Sequence, residues 1–114
     1  IELFKTANQE VLSAMLPVLD DFDRALTEIK KTDDNILIQG VELIQEKLKN
    51  TLVSKGLEEV EIKAGDTFDA DFAEAITQIP APSAKMKGKI VDVIEKGYKL
   101  GDKIIRFPKV VIGN

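Results

Sequence analysis

The sequence contains no cysteine, no histidine and no tryptophan in 114 residues. Disulfides, thiolate or imidazole metal sites, thiol nucleophiles and histidine acid–base chemistry are therefore excluded. Five phenylalanines and one tyrosine are too few and too scattered for a base-stacking platform. No apolar run approaches the roughly 18 residues of a membrane-spanning helix. No secretory leader is visible, and a cytoplasmic setting fits the missing cysteines. Sixteen basic side chains against twenty acidic ones leave a net charge of −4. That balance argues against wholesale electrostatic binding to nucleic acid.

What remains is the composition of an ordinary soluble domain, 44% hydrophobic and 32% charged. A chain of this length buries roughly 65% of its unfolded surface, enough for a modest core. The organising stretch is Met15 to Ile29, where Met15, Val18, Leu19, Phe22, Leu26 and Ile29 fall at helical spacing. Leu12, Leu19 and Leu26 recur beside Val11, Val18 and Ala25, which makes the stripe wider than a single partner helix needs. Helical periodicity is already under way at Leu3, Phe4 and Ala7 with no cap before them, which predicts a longer helix that has been cut. Pro17 marks a kink or a break between two helices, because its ring leaves the Ser13 carbonyl without a partner.

Asp33, Asp34 and Asn35 are candidate N-caps for a second helix from about Ile36 to Lys55. Leu37, Val41, Ile44, Leu48 and Leu52 form its apolar row. Gly40 inside this row predicts a close helix–helix crossing, and Lys55-Gly56 a helix stop. Two antiparallel helices make half of a four-helix bundle, and a second copy related by a two-fold axis is the simplest closure. After Gly56 the period shifts towards two. Strands are expected at Leu57–Ile62, Ala75–Ile79, Gly88–Glu95, Tyr98–Arg106 with a turn at Gly101-Asp102, and Val110–Ile112. Thr67 to Phe72 reads as loop, and Pro80 to Ser83 as a rigid extended connection. The expected class is α+β. Residues 1–56 form a two-helix hairpin for a dimeric four-helix bundle, and 57–114 a small all-β wing. From Ser83 onward eight basic residues face three acidic ones. This pattern suits solvated lysines on edge strands or a patch for an acidic partner.

No catalytic constellation emerges. Asp66, Asp69 and Asp71 lack the glycine and terminal glutamate of a calcium loop, and aspartates so placed suit turn capping. Gly88, Gly97 and Gly101 lack the context of a phosphate loop. The residues point to no enzyme, no metal and no cofactor.

Three segments nevertheless resemble one family. Leu16-Pro17-Val18-Leu19-Asp20 with Asp23-Arg24-Ala25-Leu26, and Gly40-Val41-Glu42-Leu43, resemble the bundle helices of GrpE. Glu95-Lys96-Gly97-Tyr98-Lys99-Leu100, followed by Ile105-Arg106 and Val110-Val111, is similar to the signature of its β-domain. The resemblance covers nearly the whole chain, in the family's order and spacing. It implies a homodimeric nucleotide exchange factor that binds the ATPase domain of a DnaK-type chaperone. By opening the nucleotide cleft such a factor releases ADP, and it serves unfolded proteins through the chaperone. Carried over by position, the partner-facing residues are Arg24, Phe68, Ala70, Ile94 and Ile112. Met15, Val18, Leu19, Phe22, Gly40, Val41, Ile44 and Leu48 are the bundle and dimer positions. The family often has a proline-asparagine pair and a histidine before the Glu74-Ala75 step. Here Ala70, Asp71 and Ala73 stand instead. Glu2 replaces a basic residue sometimes found on the long helix. A structural dimerisation module without exchange activity is the alternative reading.

Overall fold

The computed structural model describes the backbone of residues 2–114 and the side chains of residues 7–114. The expectations placed on the side chains of Glu2, Leu3 and Phe4 lie outside this range. Two helices precede six strands, an α+β architecture of a helical hairpin followed by two small sheets. The chain divides into two compact units, Ile1–Leu57 and Glu58–Asn114.

In the first unit, helix α1 runs from Glu2 to Ile29 with Pro17 inside it. The break offered by the sequence does not occur. Beyond Ile29 the Thr32 hydroxyl donates to the Ile29 carbonyl at 2.6 Å. Helix α2 spans Asn35–Ser54. Of the three candidate caps Asp34 is the one used, its carboxylate accepting from the Leu37 N–H at 3.0 Å. Lys55 and Gly56 close the helix, with N–H groups bonded to Leu52 and Val53 carbonyls and Gly56 at a φ of 103°. The hairpin is antiparallel. Gln45 of α2 donates to the Asp23 carboxylate at 3.1 Å, and Lys30 pairs with Glu42 at 3.4 Å.

Only one row of each helix is covered by this pairing. Leu12, Leu16, Leu19 and Leu26 of α1 and Leu52 of α2 are buried. Met15, Phe22, Val41 and Leu48 are half-buried. Val18 and Ile44 stay exposed, with Val11, Leu37, Leu43 and Ile36, the last at 85%. The close crossing expected at Gly40 is not formed between α1 and α2. A Cβ there would meet nothing within 4 Å.

The second unit holds two three-stranded sheets. The strands are β1 (Leu57–Glu59), β2 (Glu74–Ile79), β3 (Ile90–Glu95), β4 (Tyr98–Leu100), β5 (Lys103–Arg106) and β6 (Lys109–Gly113). One sheet has the order β1-β4-β5 and the other β2-β6-β3. β2 runs parallel to the last strand β6, whereas β3 and β5 pair antiparallel to their neighbours. Gly101 takes a φ of 62° in the β4–β5 turn.

Two expectations need correction. The strand read over Leu57–Ile62 ends at Glu59. Beyond it the Val60 N–H bonds the Gly97 carbonyl at 2.9 Å, and the Lys63 N–H bonds the Asp66 carboxylate at 3.0 Å. The strand expected from Gly88 begins at Ile90, after a short 3₁₀ turn at Ala84–Met86 that the pattern did not signal. The core joins buried Ala73, Ile90 and Val110, with Ile62, Phe68, Val93 and Ile112 packed partly against them.

Candidate partner-binding surface

The side chains singled out in the sequence divide between the two units. Arg24 lies on the exposed face of α1, its guanidinium donating to the Asp21 carboxylate one turn earlier. Exposed pairs of this kind contribute at most about 1 kcal/mol, so a carboxylate from another molecule can replace Asp21 at small cost. A shallow hollow lined by Asp21, Arg24, Ala25, Thr27 and Glu28 surrounds it.

In the second unit the four carried-over residues do not share one environment. Phe68 and Ile112 pack against the Ala73–Ile90–Val110 core and keep only part of their surface for anything else. Ala70 is exposed, on a turn where the Asp69 carboxylate accepts from the Asp71 N–H at 2.9 Å. The Asp69 carbonyl takes the N–H groups of Phe72 and Ala73. Three bonds to one aspartate thus hold the loop that lacks the family's proline.

Ile94 is 55% exposed. Its position follows from register. Val93 pairs with Val110 and Glu95 with Lys109, so Ile94 is the extra residue of a bulge and has no partner on β6. Bulges re-aim side chains and commonly border functional surfaces. The same device recurs on the other side of β6. Ala75 pairs with Val110 and Thr77 with Val111, which leaves Ile76 as the extra residue, and it too is exposed. Sequence reasoning missed Ile76, because alternation alone cannot show where a register slips. Exposed Phe72 and Phe107 were missed as well.

The lysine-rich stretch is partly balanced by acids of the same unit. Lys96 lies 3.7 Å from Glu59 and Lys99 3.4 Å from Glu58, and Lys89 donates to the Thr67 hydroxyl. Glu58, Glu59, Glu61, Asp66, Asp69 and Asp102 line a cleft together with Val60, Ile62, Thr67, Phe72, Lys99 and Ile104. Among the described residues no group of three acidic, histidine or cysteine side chains is placed to hold a metal ion. No described helix is long and apolar enough to cross a membrane.

The signature residues have a packing explanation. A Cβ on Gly97 would stand 2.2 Å from the Pro108 Cδ, so no larger residue fits. Tyr98 is buried, with the Arg106 guanidinium 5.3 Å from its ring centre.

Residues 2–114 match the family model described as GrpE. The chain belongs to the GrpE family. It is 43% identical over 113 residues to a Protein GrpE of Porphyromonas gingivalis, covering 98% of this chain and 58% of the relative. A Protein GrpE of Bacteroides thetaiotaomicron is 42% identical with the same coverage. One from Thermotoga neapolitana is 36% identical over 111 residues, covering 97% of this chain and 63% of the relative. The chain thus spans about three-fifths of the curated GrpE proteins it matches.

Proposed function

We propose that this GrpE-family chain is the partner-binding part of a homodimeric co-chaperone that promotes ADP release from a DnaK-type chaperone in the cytoplasm. The observation that carries the reading is the family match over residues 2–114. Two surface features support it. Val11, Val18, Leu37, Leu43 and Ile44 form apolar rows that the hairpin leaves uncovered, and a second copy would cover them. Arg24 and Ile94 are solvent-facing on the two units and suit polar and apolar contact with a partner.

The mechanism is linkage. A protein that binds the open ATPase domain more tightly than the ADP-bound closed form weakens ADP binding by the same factor. This requires no covalent chemistry from the exchange factor. The test follows release of a fluorescent ADP from a DnaK-type ATPase domain, with and without the chain. Acceleration is expected. Arg24→Ala and Ile94→Asp should each weaken the complex by about 1–3 kcal/mol without changing the fold. A chain that dimerises and leaves ADP release untouched is instead a structural dimerisation module, the reading that the uncovered helical rows support when taken alone.

A further inference from the structure

The two sheets of the second unit are joined by three chain connections, the long segment 60–73 from β1 to β2 and two short crossings. The chain leaves β3 through Lys96-Gly97 to enter β4, and returns from β5 through Phe107-Pro108 to enter β6. The crossings touch at Gly97 and Pro108. A side chain of β5 also bridges them. Arg106, the last residue of β5, donates from Nε at 3.0 Å and from Nη2 at 2.7 Å to the Lys96 carbonyl. Its Nε lies 3.3 Å from the Glu95 carboxylate, and its guanidinium sits over Tyr98. The end of β3, the first crossing and the start of β4 therefore meet one planar, permanently charged group. Only 18% of the Arg106 side chain is exposed. Neighbouring carbonyls are also engaged, that of Gly97 by the Val60 N–H and that of Pro108 by the Glu74 N–H.

The strands leaving this knot carry the proposed partner contacts. Ile94 directly precedes Glu95, and β6 with Ile112 directly follows Pro108. Segment 60–73 packs Ile62 and Phe68 against the core beside this sheet, and the two short crossings are the remaining places where it could pivot. A surface that must displace part of another molecule cannot yield in that way. We infer that Arg106 is a positioning residue for nucleotide exchange, locking the sheet that bears Ile94 and Ile112 onto its companion sheet. This inference rests on the exchange reading above. In this role the arginine acts through Glu95, Lys96 and Tyr98. It acts by denying the contact sheet a hinge.

The test compares the full-length protein with its Arg106→Lys variant, which keeps the charge and loses the fork. Fluorescent ADP release from a DnaK-type ATPase domain is followed as exchange factor is raised to saturation. The maximal rate is expected to fall about tenfold, the scale of one lost charge-assisted bond, with half-saturation within about twofold. A role in stability alone would lower the melting temperature and leave the saturating rate of the folded fraction unchanged, which overturns the inference. Glu95→Gln, which spares the bond to Lys96, should give an intermediate rate and serves if Arg106→Lys does not fold; a wild-type rate there also overturns the proposal. If the wild-type protein fails to speed release, the exchange reading fails and the inference falls with it. If only the variants match wild type, the inference fails alone.

Discussion

The helical unit and the β unit solve the problem of a small core in opposite ways. The hairpin buries one row of leucines and leaves Val11, Val18, Leu43 and Ile44 in water. Two helices enclose too little volume to hide two wide stripes. The β unit closes on itself around Ala73, Ile90 and Val110, and its crossings fit so tightly that Gly97 has no room for a methyl group. One half leaves apolar rows open and the other encloses its own core. The uncovered rows are therefore the informative surface of the hairpin, and the bulges beside β6 are that of the sheets.

Three substitutions test this contrast. Gly97→Ala should have the largest effect, about 3 kcal/mol or more, because the new methyl group overlaps the Pro108 ring in a unit without slack. Urea unfolding followed through Tyr98 fluorescence measures it, and a cost below 1 kcal/mol would mean that the crossings are looser than the contact implies. Val18→Asp should leave the hairpin folded but weaken self-association by about 2 kcal/mol if a second copy covers that row. Sedimentation equilibrium reads it, and an unchanged dimer would place the interface elsewhere. Asp34→Ala should cost about 1 kcal/mol through loss of the α2 cap. Thermal unfolding followed by helical circular dichroism is the measure. A negligible change would show that the Asp34–Leu37 bond exchanges freely with water.

Much of the hairpin was legible from the order of residues. Helical spacing located both helices, and the Asp33–Asn35 cluster and Lys55-Gly56 marked the two ends of α2, because these features depend on neighbours within a turn. The β unit was harder. The Gly101-Asp102 turn was visible, yet the parallel pairing of β2 with β6 joins segments remote in sequence and has no local mark. The Leu57 strand was read too long because Val60 and Ile62 alternate correctly, while the Val60 N–H is claimed by Gly97. Among the candidate contacts, the exposure of Ile94 comes from a register slip, and the partial burial of Phe68 and Ile112 comes from the core they share. Alternation carries neither kind of information. The requirement for Gly97 is likewise invisible until Pro108 is seen beside it.

Strand β2 is the outer strand of its sheet and all six of its residues are exposed. Its free rim offers backbone groups that an unfolded polypeptide could copy as a neighbouring strand. The displaced Ile76 interrupts the regular spacing of those groups, and Pro80 follows just past the strand end. Both features make β2 a poor template for an added strand.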